Sequence, residues 1–186
     1  MRRLLPLMAL ILLASAALAQ DFQIDPKHSS ANFSVKHLLV STVRGRFGGG
    51  VTGTIHLDPQ DITKSSVLAV IKTNTITTDN ASRDKDLNSE RFFDTAKYPE
   101  IKFQSTKVEK RGDSYVAIGD LTMKDVTKQI ELPFTLSQAE TNGKKALGVD
   151  SELTINRFDY HINWDPTGAT VTKDVKIEIN LEAKVQ

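Results

Sequence analysis

Few of the side chains able to do chemistry in this 186-residue chain stand where chemistry would need them. The four histidines, His28, His37, His56 and His161, lie far apart, with no pair at the spacing that lets a helix offer two imidazoles to one metal. Asp25, His28 and Ser29 are the residue types of a hydrolytic triad, but within one short segment they cannot readily form its proton relay. There is no nucleophile elbow or phosphate-cradling glycine loop. With no cysteine, disulfides, thiolate metal sites and a thiol nucleophile are also ruled out. Acidic residues mostly alternate with lysines, as on a solvated face, and do not read as a glycosidase pair. Two features resist that bland picture. His37 follows the register of Phe33 and Val35, which puts a polar ring where an apolar one is expected. It reads either as a buried, hydrogen-bonded imidazole or as a general base. Arg44 and Arg46 flank Gly45 between apolar residues, and read either as a surface pair or as cations meeting an anionic or carbonyl group of a ligand.

The elements that must position these residues are almost all β-strands. Ala31, Phe33, Val35 and His37 alternate with polar residues after a turn at Asp25–Lys27 that is expected to enter the first strand. Val51, Gly53, Ile55 and Leu57 share one face, and Val67–Ile71 is a continuous apolar run. Further alternation runs through Tyr115–Met123, Ile130–Leu136 and Leu147–Ile155, and is cleanest from Val175 to Val185. Pro133 is expected at a non-pairing position. About eight strands joined by turns between neighbours predict an all-β antiparallel meander that closes into a barrel, whose interior is either filled or holds one slender ligand. Period-two alternation fits both. Arg83–Ser105 interrupts the pattern: Leu87, Phe92 and Phe93 can share one face of a short helix that Pro99 closes off, with a strand resuming at Ile101 and Phe103. This segment is expected to form a lid whose Phe92–Phe93 pair covers one end of the barrel; alternatively the two rings complete an ordinary core.

Residues 1–19 have a basic start, an apolar run and a small-residue exit, the form of a secretory signal peptide cleaved before Gln20. The expected mature chain, 20–186, is one domain, and losing Arg2 and Arg3 moves the net charge from +1 to −1. No basic excess remains to recruit the phosphate backbones of nucleic acid or anionic lipid, and no stable membrane insertion is expected after the signal is removed. A Sec-exported, periplasmic or secreted bacterial protein is the expectation.

Several segments together resemble the YceI-like family of exported lipid-binding proteins. They are Asp25–Ser29 leading to Phe33–Leu38, Ser41–Phe47, Arg83–Leu87, Phe92–Asp94 with Lys97–Pro99, Gly119–Thr122 with Val126–Lys128, and the late motif Asn156–Asp159. The resemblance implies a lipocalin-like barrel of about eight strands with a short helical lid, and no general catalytic activity. It implies a long apolar cavity for a polyisoprenoid or isoprenoid quinone, held as a ligand with no cofactor required, and a homodimer by family likeness. The ligand-binding residues carried over are Phe33, His37, Val43, Arg44, Phe47, Leu87, Phe92, Phe93 and Phe103, with no catalytic or metal-binding residue among them. Periplasmic binding, transport or storage of the lipid is the expected function. The alternatives are a stress-response or interaction module with a filled barrel and, less favoured, an enzyme acting on a lipid head group. Departures from the family pattern fall at Leu39, Asp125, Gln129 and His161.

Overall fold

Alternating apolar residues bend one sheet around a common core in a computed structural model that describes residues 19–185. The signal-peptide expectation for 1–19 therefore falls almost entirely outside the described residues. Eleven antiparallel strands form the sheet: β1 (Gln20–Ile24), β2 (Ser30–His37), β3 (Ser41–Phe47), β4 (Val51–Leu57), β5 (Ser66–Lys72), β6 (Ile76–Thr77), β7 (Glu100–Arg111), β8 (Ser114–Met123), β9 (Val126–Thr141), β10 (Lys144–Asn156) and β11 (Val171–Val185). Eight of them, β1-β4-β5-β7-β8-β9-β10-β11, close into a ring when β1 pairs back onto β11. The other three, β2, β3 and β6, continue from β11 as a flap. The closed antiparallel barrel agrees with the sequence, but the simple meander does not.

Two corners account for the difference. β1 and β2 lie end to end along one edge of β11, at Phe22–Ile24 and Ser30–His37, separated by the bend at Asp25–Ser29. β3 and β4 are broken likewise at Gly48–Gly50, so β3 follows β2 while β4 follows β1. The corners meet at Gly50, which has φ 67° and whose added Cβ would lie 2.2 Å from the Pro26 carbonyl oxygen. Any other residue there would push the corners apart. Gln20–Ile24 is thus a strand preceding the one expected to be first.

A second irregularity lies in the wall. The β9–β10 ladder begins beside the Thr141/Lys144 hairpin and stops at Phe134–Ser151, whereas β10 stays paired with β11 as far as Asn156. Pro133, with no N–H to give, ends the ladder, and its carbonyl accepts from the Ser151 hydroxyl at 2.7 Å. Beyond it β9 and β10 diverge toward one end of the barrel and leave a seam.

The one α-helix among the described residues, α1 (Ala81–Asn88), follows β6. Asn80 caps its N-terminus by accepting from the Arg83 N–H at 3.0 Å. It ends earlier than the sequence suggested: Phe92 and Phe93 belong to the turns that follow, so they do not share a helical face with Leu87.

Candidate functional site

The inward side chains enclose an apolar cavity of about 160 Å³. Its lining runs from Phe47, Val51 and Met123 at the end near α1 to Val67, Val108 and Phe134 at the other. Only Asn32, Ser65, Ser66 and Ser151 are polar, and no charged residue contributes. Such a space can hold a chain of carbon but offers nothing to neutralise a carboxylate or phosphate, so any charged head must stay outside. Ile130, Leu132, Leu153 and Ile155 line it on both sides of the β9–β10 seam and are partly exposed.

Phe47 closes the α1 end. The Phe33 ring lies across Gly45, where an added Cβ would be 2.3 Å from Phe33 Cζ, and its centroid is 6.2 Å from that of Phe47. From outside, Phe93 meets Phe47 edge to face at 5.8 Å. Phe92 turns the other way and packs on Trp164 at 5.5 Å, with the Arg91 guanidinium 5.1 Å from the same indole. The segment is therefore a lid anchored twice, but the pair expected to cover the barrel end is split: Phe93 sits on the barrel plug and Phe92 on the loop before β11. Each aromatic contact adds about 0.5–1.5 kcal/mol to the burial itself.

The lid is tied to β6 through the Arg83-Asp84 pair. Asp84 accepts from the Thr78 amide at 2.8 Å, the Thr78 hydroxyl at 2.5 Å and the Thr77 hydroxyl at 3.0 Å. Arg83 donates to the Thr78 hydroxyl at 2.7 Å and carbonyl at 3.1 Å. Burial works to raise the Asp84 pKa, but the hydrogen bonds from Thr78 and Thr77 and the nearby Arg83 charge outweigh it, leaving it below the ordinary 3.8. The stability this carboxylate supplies is therefore complete above 3.8 and is lost as pH falls through the lower folded value. Asp84→Asn is expected to speed amide exchange across Leu87–Thr95 by about tenfold or more at neutral pH. In the unaltered protein, after correction for intrinsic rates, the same acceleration should appear only on acidification. Equal protection in both proteins at neutral pH would show that the lid is held by its rings alone.

Of the residues expected at the site, Phe47 and Phe103 line the cavity. Phe33, Leu87, Phe92 and Phe93 pack behind it. His37 and Val43 are half-buried in the β2–β3 hairpin and do not line it. Arg44 and Arg46 point away from the lumen: Gly45 and Phe47 take the inward positions, and Arg46 reaches Asp79 at 3.4 Å. Sequence reasoning singled out too few lining residues. Ile71, Ile101, Leu121 and Ile177, for example, belong there, and their period-two alternation was the available signal.

The Asp25-His28-Ser29 segment is not built as a triad. His28 Nδ1 lies 2.9 Å from Asp25, but the Ser29 hydroxyl is engaged by the backbone N–H of Glu182 at 3.0 Å. Glu182 also brings a carboxylate near His28 and Asp25. The Lys184 ammonium sits 2.8 Å from both Asp25 and Glu182, so this acidic cluster already has its cation.

Comparison with known proteins now bears on this geometry. The signature of the YceI-like domain matches residues 22–183. A UPF0312 protein of Photorhabdus laumondii is 36% identical over 180 residues, covering 96% of this chain and 86% of the relative. The chain belongs to the YceI-like family. Among solved structures it is similar to BcnA of Burkholderia cenocepacia, with TM-score 0.78 and 20% identity, covering 86% of this chain and 98% of that one. It also resembles a Saccharophagus degradans protein described as a polyisoprenoid binding domain implicated in plant cell wall breakdown. That match has TM-score 0.69 and 14% identity, covering 89% and 98% of the two chains. At these identities the two structures establish the shared fold. The Arg83-Asp84 lid tether gives a physical role to one motif of this YceI-like chain, and Arg157 in the 156–159 motif donates to the Trp164 carbonyl at 2.7 Å.

Proposed function

We propose that this YceI-like protein binds the apolar tail of an isoprenoid lipid, such as a polyprenyl or isoprenoid-quinone chain, without altering it chemically. The observation that carries the reading is the uncharged lining that runs from one end of the barrel to the other. The polyisoprenoid description of the Saccharophagus domain, which shares the fold, supports the choice of ligand. Export to the periplasm, with loss of residues 1–19, would place the protein where such lipids must cross water between membranes. A buried methylene contributes about 0.8 kcal/mol, enough for a modest length of tail to offset the ordering of a flexible chain.

The size of the lumen sets a condition. A void of about 150 Å³ accommodates benzene, so the 160 Å³ lumen corresponds to roughly one isoprene unit. A longer tail enters only if the barrel widens. The seam between β9 and β10 is where the wall parts with least loss of backbone pairing. Three polar contacts bridge its open end: Lys128 to Asp159 at 2.9 Å, His161 to Asp125 at 3.0 Å, and Lys124 to the His161 carbonyl at 3.1 Å. The same small volume favours a second reading, a filled barrel that serves as an interaction module.

One experiment separates the two. Native mass spectrometry of the gently purified exported protein, followed by organic extraction, is expected to find a bound isoprenoid. Protein that is consistently empty and also takes up no ubiquinone analogue would overturn the lipid reading and leave the filled module.

A further inference from the structure

The turn joining β2 to β3 is the most exposed apolar feature among the described residues. Leu38, Leu39 and Val40 are 55%, 76% and 87% exposed, and elsewhere large apolar side chains are exposed only singly, at Leu68 and Val185. The turn does not need leucine. Leu38 and Leu39 both adopt the left-handed conformation, with φ 50° and 57°, and the Val40 N–H donates to the His37 carbonyl at 3.1 Å. Two consecutive left-handed residues are what Asn-Gly supplies with least strain, whereas a leucine brings its Cβ against the backbone. These side chains therefore strain the folded chain and bury little of themselves within it, the pattern expected where a surface feature serves something outside the molecule.

Cations with no carboxylate in contact lie on the strands that lead to and from the tip. Lys36 precedes it on β2, Arg44 follows it on β3, and Lys173 lies on the adjoining stretch of β11, where Thr172 Oγ1 accepts from the Lys36 N–H at 3.3 Å. All three are exposed, and among the described residues none has a carboxylate within 4.0 Å, whereas Arg46, Lys176 and Lys184 are each paired. Of the nearby acids, Asp174 is exposed, the Asp165 carboxylate is occupied by the amides of Thr170 and Val171, and Asp79 and Glu178, which share a surface hollow with Arg44, are paired with Arg46 and Lys176. The tip also lies at the lid end. The Leu38 N–H donates to the Thr170 carbonyl at 2.8 Å, in the same loop whose Trp164 packs on Phe92.

We propose that residues 38–40 dock the protein on an anionic lipid bilayer. The three aliphatic side chains enter the boundary between head groups and acyl chains, while Lys36, Arg44 and Lys173 rest against lipid phosphates. A convex tip of three aliphatic residues with no aromatic anchor, flanked by these cations, suits a soft anionic surface better than a protein groove. With the mature net charge near −1, attraction is local to this end, so docking also orients the lid toward the membrane. The inference deepens the lipid-binding reading but does not use the cavity as evidence.

The test is flotation of the chain beginning at Gln20 with vesicles of phosphatidylglycerol and phosphatidylethanolamine, and separately with phosphatidylcholine alone. The vesicles carry no isoprenoid, so the result is independent of cargo. The protein is expected to float with the anionic vesicles, less so at high salt. The double variant Leu38→Asn, Leu39→Gly should bind about tenfold less or weaker, with an unchanged or higher melting temperature because the turn is relieved of strain. Replacing Lys36, Arg44 and Lys173 together by glutamine should remove the preference for anionic vesicles. Flotation that is absent, or unchanged in the double variant, would overturn the proposal. So would tip-dependent self-association in sedimentation without vesicle binding, which would assign the tip to a second copy of the chain.

Discussion

Arg157→Leu is expected to lower the unfolding free energy by about 3–5 kcal/mol, a large part of the stability of a domain this size. The Arg157 side chain is buried, and its guanidinium donates to five backbone carbonyls. Nη1 reaches Ile162 at 2.6 Å and Trp164 at 2.7 Å, Nη2 reaches Asp165 at 3.3 Å and Val171 at 2.8 Å, and Nε reaches Thr172 at 3.1 Å. Most of the irregular loop between the 3-10 turn at Arg157–Tyr160 and β11 is thus organised around one side chain. Leucine would leave those carbonyls without donors in a site from which water is largely excluded. Lysine carries three donors and no planar fork, so Arg157→Lys should recover only about half of the loss. Urea unfolding measures both as a lower midpoint with an unchanged slope. The site should respond as well. Trp164 is the lid's second anchor, so amide exchange in the lid should accelerate in parallel; a destabilised protein with a fully protected lid would show that the Phe93–Phe47 contact suffices.

How far all this was legible in the sequence depended on whether the partner of each residue was a side chain on a regular element. Strand alternation announced the barrel, because a closed sheet imposes an inward and an outward set on nearly every strand. The closure was not legible: the corners at Asp25–Ser29 and Gly48–Gly50 decide which strands are neighbours, and neither changes the period of the pattern. The outward course of Arg44 and Arg46 could have been read by counting two residues at a time back from Phe47. His37 kept the inward parity expected of it, but it lies on the hairpin beyond the lumen, and parity carries no information about height along a barrel. The lid was visible as a break in the strands. Its helix was placed too late because Leu87, Phe92 and Phe93 fit a helical spacing that the chain abandons at Ser89. Arg157 was noticed only within a resembling motif, since everything it holds is backbone. The Leu38-Leu39-Val40 turn was concealed by being apolar, the reverse of ordinary turn chemistry.

Filling the lumen should weaken ligand uptake about 100-fold while leaving the barrel standing. Ala117 is buried on β8, opposite Val108 on β7 and Leu132 on β9, and lines the cavity in the half away from the lid. A phenylalanine there directs a ring into the 160 Å³ space, and a void of about that size is what one benzene occupies. The ring gains apolar burial without making a new cavity, so the cost to stability is limited to imperfect fit, about 1–3 kcal/mol at most. The cost to binding is larger. A tail denied about four methylenes of burial loses about 3 kcal/mol, or roughly 100-fold in affinity. The comparison variant is Ala139→Phe, at an exposed position of β9, which adds the same ring outside the lumen and should leave affinity unchanged. Titration with a fluorescent isoprenoid, alongside thermal melts of both variants, reads the two effects separately. If Ala117→Phe melts normally and still binds at full affinity, the chain of carbon lies somewhere other than inside the barrel. If it binds only short tails, then the lid half of the lumen receives the chain first, and the β9–β10 seam has to widen only for the longer ones.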